Sequence, residues 1–258
     1  MSVAHETVKS VMAEFIGSFL FQFLGGACIS NATEHGLGSG AIGNGFAFAI
    51  VLYAVTNVSG GHVNPAITAA FRATHRISNT NALAFICAQI IGSIIGAGFL
   101  RLCLPASAPA FITIGSLTDS EPGMTLIWEF LSTFFVVFVV YAVTFNKDFK
   151  PIGPFAIGVR NIPIYSASFY LRGLQLAVTA ATFASGPFTG SSFNPSRTLA
   201  AAFVFGSFHQ VLVWHFFHLV NLFRCSSCSQ VWIYLLATLA GGAVAGLTFE
   251  HAFLKEHN

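Results

Sequence analysis

The chain has 258 residues, of which 55% are hydrophobic and only 8% charged, with a formal net charge of +2. A soluble domain carries about 25% charged residues, so this composition excludes an ordinary soluble protein, and so small and scattered a charge excludes a nucleic-acid binder. The chain reads as a polytopic membrane protein.

Apolar stretches of spanning length run over 11–30, 41–58, 82–103, 124–145, 174–188 and 231–249. A bilayer needs roughly 20 residues per helix, and the shorter stretches need tilt or flanking residues. The first stretch is too long for a removable signal peptide and lacks a small-residue cleavage pattern, so it is read as the first span. With six spans, Lys9, Arg72, Arg76, Lys147, Lys150 and Lys255 fall on one side, while Glu34, Asp119 and Glu121 fall on the other with Arg101 as the basic exception. The Lys and Arg bias predicts cytoplasmic termini. Asn31-Ala32-Thr33 is then a glycosylation sequon on the outer side.

Between the second and third spans lies Ser59-Gly-Gly-His-Val-Asn64-Pro65-Ala66, and after the fifth lies Thr189-Gly-Ser-Ser-Phe-Asn194-Pro195-Ser196-Arg197. Asn is a favoured N-cap and Pro a favoured first helical residue, so each copy predicts a helix starting at Asn with its positive end exposed there. Inside hydrocarbon such ends survive only where they line an aqueous path. The spans repeat as well. Ala13-Glu14-Phe15 returns as Trp128-Glu129-Phe130, and Ala88-Gln89-Ile-Ile-Gly92 returns as Ala237-Thr238-Leu-Ala-Gly241. The chain is a single domain, 1–258, built from a first repeat over 11–103 and a second over 122–253 that carries two surplus segments. Each repeat has three spans and one half-helix, and an odd span count makes the repeats inverted, with a site at the midplane. Glu14 and Glu129 are costly in a membrane unless buried among polar groups. Each is read as an acceptor for backbone N–H groups before its Asn-Pro turn, in preference to a proton or ion ligand.

The second repeat is longer than the first. Glu14 to Asn64 covers 50 positions and Glu129 to Asn194 covers 65; Asn64 to Gly92 covers 28 and Asn194 to Gly241 covers 47. By composition, the surplus is 159–175 and 211–230. Each segment begins with Val, whose codons start GT, and ends with Gln, one of whose codons is CAG; these are the end signals of an intron. Both are expected to be translated introns, the alternative being evolved amphipathic decorations rich in Phe and His. The first is expected to be extruded into the cytoplasmic loop, shortening the fifth helix or straining its start, and the second to lie on the outer surface or along the interface. Cys28, Cys87 and Cys103 are expected to pack as small buried apolar groups. The lone Cys225-Ser-Ser-Cys228 pair has metal or redox spacing, but without a second pair it is weak evidence for either. No nucleophile motif sits on a strand-to-helix turn, so the chain is expected to be neither an enzyme nor a cofactor binder.

Through its paired Asn-Pro motifs the chain resembles the aquaporin, or major intrinsic protein, family over nearly its whole length. Val58-Ser-Gly-Gly-His-Val-Asn-Pro-Ala66 and Ala184-Ser-Gly-Pro-Phe-Thr-Gly190 make it most similar to the plant tonoplast intrinsic proteins; Ser196 departs from the family's usual Ala. The resemblance implies an all-α membrane protein of six tilted transmembrane helices around two re-entrant half-helices, usually a homotetramer with one pore per subunit, in a vacuolar or plasma membrane. It implies a passive channel for water and small neutral solutes, among them ammonia, urea, hydrogen peroxide and glycerol, in contact with membrane lipid. By counting from the motifs, it implies a pore midplane at Asn64, Pro65, Ala66, Asn194, Pro195 and Ser196 and a selectivity filter at Arg197, Ser191, Thr182 and Asn44. Those filter residues are small to medium and polar, with no Trp among them, so a wide, wet filter is expected. Thr198 and Ala202 stand where dedicated glycerol facilitators usually show Asp and a basic residue. His62 is read as hydrogen-bonding its loop, with a pH-sensitive gate as the second reading. A secondary transporter and a non-conducting adhesion protein are the rival functions.

Overall fold

The computed structural model describes residues 3–105, 120–145, 164–205 and 230–254, which form helices and the turns between them. In chain order the helices are α1 (Val3–Ser30), α2 (Ala32–Ser59, kinked at Gly36), α3 (Pro65–Ala73), α4 (Asn79–Cys103), α5 (Pro122–Phe145), α6 (Ile164–Thr189), α7 (Pro195–Val204) and α8 (Val231–Phe249). A final π turn, Glu250–Leu254, continues α8. Among the described residues five helices are long and apolar enough to cross a membrane: Thr7–Ser30, Glu34–Ser59, Asn79–Cys103, Pro122–Phe145 and Val231–Leu254.

The inverted repeat is visible in which helices pack together. α1 lies against α2 and α4, α5 lies correspondingly against α6 and α8, and α2 meets α6 across the middle. The half-helices change sides: α3 packs on α8 of the other repeat and α7 on α4. Matching glycines permit the closest crossings. A Cβ on Gly92 would stand 2.3 Å from the Phe15 carbonyl oxygen, and one on Gly241 would stand 2.4 Å from that of Phe130. No side chain fits there, because the obstacle is backbone.

Phe21, Leu52, Ile67, Phe71, Tyr141, Leu174 and Phe193 fill the interior, while Ile50, Tyr53, Leu102, Leu176 and Trp232 face outward. Outward-facing apolar residues on helices of this length suit a lipid surround. Cys87 and Cys103 are also exposed and Cys28 is partly so, which corrects the expectation of buried thiols. An apolar span is apolar on every side, so its composition does not say which face a thiol takes.

The fifth helix also differs from its expected 174–188. It starts at Ile164, and Leu174 is fully buried. The Gln175 carbonyl oxygen is 2.7 Å from where a Gly45 Cβ would be, so α2 and α6 touch there. Residues 164–175 thus extend the helix instead of leaving it as a loop; this stretch contains no proline. At ~1.5 Å per residue its 26 residues exceed the hydrocarbon thickness, and the exposed Arg172, the ninth of them, is long enough to snorkel toward the interface. Residues 159–163 and 211–229, with Cys225 and Cys228, lie outside the described residues, as do Asp119, Lys147, Lys150 and Lys255.

Candidate functional site

Each half-helix begins as its sequence dictates. Asn64 and Asn194 hold extended backbone (φ −159° and −148°), their side chains accept from the N–H of Ala66 and Ser196, and Pro65 and Pro195 are the first helical residues. These oxygen contacts measure 2.8 and 3.0 Å. The amide nitrogens reach across the molecule: Asn64 Nδ2 donates to the Phe193 carbonyl at 2.9 Å, and Asn194 Nδ2 donates to the Val63 carbonyl at 3.0 Å. The two Asn-Pro turns are therefore joined face to face by a reciprocal pair of hydrogen bonds. Pro65, Ala66, Pro195 and Ser196 are all buried at this junction.

The residues that present those carbonyls are forced into an unusual conformation. Val63 has φ 50° and Phe193 φ 34°, a region that β-branched and bulky residues rarely enter; Ser191, two residues before Phe193, has φ 53°. The buried carboxylates hold Val63 and Phe193. Glu14 accepts from the N–H of His62 (2.9 Å) and Val63 (2.6 Å), from the Ser59 hydroxyl (2.5 Å) and from the Gln89 amide (2.7 Å). Glu129 accepts from the N–H of Ser192 (3.1 Å) and Phe193 (2.9 Å) and from the Thr189 hydroxyl (2.6 Å). Both acids are fully buried. Their oxygens are taken up by loop donors, the arrangement that makes a buried carboxylate tolerable.

His62 is almost fully buried. Its Nδ1 is 3.0 Å from the Thr68 hydroxyl, and its ring lies 4.8 and 5.4 Å from the Phe71 and Phe85 ring centres. Thr68 in turn meets Gln89, so His62 belongs to the same polar cluster as Glu14.

A second group of polar residues gathers near α7. Arg197 Nη1 donates to Asn44 Oδ1 at 2.6 Å, Asn44 Nδ2 donates to the Thr182 hydroxyl at 3.3 Å, and the Ser191 hydroxyl donates to the Thr182 carbonyl at 3.3 Å. Four residues from α2, α6, the turn before α7 and α7 itself thus form one connected set, every member almost fully buried. Among the described residues no group of His, Cys, Asp or Glu is placed to hold a metal ion.

Several members of the site carried no signal in the sequence. The Phe21 ring lies 4.4 Å below the Arg197 guanidinium, an aromatic partner from α1 that counting from the Asn-Pro motifs does not reach. Ser196 is more than a tolerated small residue. Its hydroxyl donates to Asn194 Oδ1 at 2.8 Å and accepts from Ser93 at 3.0 Å, tying α7 to α4. Tyr234 of α8 anchors the start of the same turn by donating to the Thr189 carbonyl at 2.8 Å.

The family model described as Major intrinsic protein matches residues 1–249. The chain belongs to the major intrinsic protein family. Among its curated relatives, a probable aquaporin TIP-type of Medicago truncatula is 31% identical over 97% of this chain and 89% of its own. Nodulin-26 of Glycine max is 32% identical over 93% of this chain and 75% of its own. The X-ray structure of the aquaglyceroporin from Plasmodium falciparum shares the fold with a TM-score of 0.73, at 18% identity, covering 95% of this chain and 96% of that one. This major intrinsic protein is accordingly a membrane channel for water and small solutes.

Proposed function

We propose that the channel excludes protons and cations at two places while passing water and small neutral solutes, with ammonia, urea, hydrogen peroxide and glycerol as candidates beside water. The reading rests above all on the reciprocal bonds between Asn64 and Phe193 and between Asn194 and Val63, which hold two half-helix N-termini face to face. Each carboxamide nitrogen has two hydrogens. One is engaged with the opposite turn; the other is free to meet a passing solute. A water accepting from both Asn64 and Asn194 turns its own hydrogens away along the path in both directions and breaks the chain along which protons hop. The positive ends of α3 and α7 add an electrostatic barrier to cations at the same point.

Arg197, Asn44, Thr182 and Ser191 serve as the selectivity filter. The guanidinium supplies a fixed positive charge, and the carboxamide and hydroxyls replace part of a solute's hydration. Glu14 and Glu129 act as structural acceptors, not as ion sites. Termini in the cytoplasm, a homotetrameric assembly and a vacuolar or plasma membrane complete the reading, the vacuolar choice supported by likeness to TIP-type aquaporins.

Vesicle swelling tests the function. A channel gives rapid, non-saturating water flux with low activation energy. Saturable, ion-coupled flux points to a transporter and no flux to an adhesion role, and either result overturns the proposal.

A further inference from the structure

Phe21, Gly25 and Cys28 lie on one stripe of α1, four and three residues apart, the spacing of one helical face. That stripe abuts Gly43 and Asn44 of α2. A Cβ on Gly43 would meet Cys28 Sγ at 2.7 Å, so α1 and α2 are in close contact beside the Arg197 group. A Cβ on Gly25 would stand 2.7 Å from Asn44 Oδ1 and 3.1 and 3.2 Å from two carbons of the Phe21 ring. Asn44 Oδ1 is the atom that accepts from Arg197, and Phe21 is the ring on which the guanidinium rests. One missing side chain therefore makes room for both supports of Arg197.

We propose that Gly25 and Phe21 are positioning residues for selectivity: Gly25 leaves the space in which the Asn44 carboxamide stands, Phe21 supplies the face that receives the guanidinium, and together they fix how far Arg197 reaches across the solute path. This rests on Arg197 and Asn44 being the filter. With Asn44 and Phe21 in place, the guanidinium is drawn to the α1–α2 wall by a charge-assisted hydrogen bond and a cation–π contact. An added methyl at position 25 pushes both supports, and the wall they leave is then occupied. The guanidinium moves toward the lumen, and the larger solute is penalised before water.

The obstruction at Gly25 is the tip of a side chain and the edge of a ring, not backbone, so Gly25→Ala is expected to fold. The experiment measures stopped-flow urea and water permeability of vesicles carrying the full 258-residue chain, for Gly25→Ala, Asn44→Ala, the double variant, Phe21→Leu and Arg197→Val. Gly25→Ala should lower the urea-to-water ratio about fivefold, and Phe21→Leu, which keeps an apolar side chain but loses the ring face, about twofold. In the Asn44→Ala background the Gly25→Ala change should fall to less than about 1.5-fold, because residues acting on one another are not additive. That loss of effect separates positioning from general destabilisation.

A parental ratio in Gly25→Ala, or an undiminished effect in the double variant, overturns the proposal. Should Gly25→Ala not fold, a parental ratio in Phe21→Leu overturns it instead. If Arg197→Val and Asn44→Ala themselves leave the ratio unchanged, the filter assignment fails and the positioning role falls with it. If those two move the ratio while Gly25→Ala and Phe21→Leu do not, only the positioning role is lost.

Discussion

Replacing Glu129 tests whether the buried carboxylates are structural. In Glu129→Ala the N–H groups of Ser192 and Phe193 and the Thr189 hydroxyl lose their acceptor together. The Thr189 hydroxyl still has the Ser185 carbonyl at 3.3 Å, but a buried donor left without a partner costs about 1–3 kcal/mol, so the two N–H groups amount to roughly 2–6 kcal/mol. The backbone of Phe193, at φ 34°, loses what holds it as well. Against a total stability of about 5–15 kcal/mol, a large part of the protein's margin is gone. Glu129→Gln keeps one acceptor oxygen, which can still serve Thr189 and Ser192, but turns an N–H₂ toward Phe193, a loss of about 1–3 kcal/mol. At ~2–4 °C per kcal/mol for a chain of this size, Gln should lower the melting temperature by roughly 2–12 °C, and Ala should give little folded protein. Detergent-solubilised protein, followed by size-exclusion chromatography and thermal unfolding, reads both. If Ala is as stable as the parent, or if Gln and Ala are equally stable and differ from it only in the ion dependence of flux, the structural role is wrong.

Asn64→Asp or Asn194→Asp replaces a neutral donor with a charged acceptor facing two positive helix ends, and voltage-clamp recording should show a new cation or proton current; currents equal to the parent's in both variants would remove the midplane barrier from the mechanism. Arg197→Val should admit larger or charged solutes while water flow persists, and unchanged selectivity would mean that the filter lies elsewhere. Gly241→Val should abolish folding, because its Cβ would sit 2.4 Å from the Phe130 carbonyl oxygen; normal yield would show that the α5–α8 crossing can open. Deleting 159–175 and 211–230 should raise folded yield and water permeability, since Phe155-Ala156-Ile157-Gly158 then abuts Leu176 and supplies an apolar first turn for the fifth helix. Lower yield or flux, or mature messages that all retain both segments, would identify them as working parts of the protein.

The Asn-Pro turns were legible because capping chemistry is local: an Asn followed by Pro prescribes both the start of a helix and its unpaired end, and pairing two copies prescribes a meeting. Glu14 and Glu129 were legible for a related reason, since an acid has few tolerable places in an apolar span. What the acids hold is a matter of three-dimensional closure. Gln89 lies 75 residues from Glu14, and no pattern links them. Phe21 was hidden because one Phe among 29 is unmarked until its neighbour proves to be a guanidinium. The start of α6 was misjudged because composition sets apolar limits, whereas a helix continues as far as its backbone permits, and nothing in 164–173 forbids it. The exposed thiols show the same weakness, since uniform apolarity erases the periodicity that would reveal a face.

The bonds between the two turns also set an order of events during synthesis. The Phe193 carbonyl that Asn64 needs lies 129 residues further along the chain, and Asn194, which bonds Val63, lies 131 further. At about 5–20 residues per second, the first turn waits roughly 6 to 26 seconds at the ribosome for its counterpart, and α3 waits longer still for α8. Throughout that interval the left-handed Val63 is held by groups of its own repeat alone, chiefly Glu14, steadied by Gln89 once α4 has been made. The acid then works as a mould, keeping the first turn in shape until the second arrives to close on it.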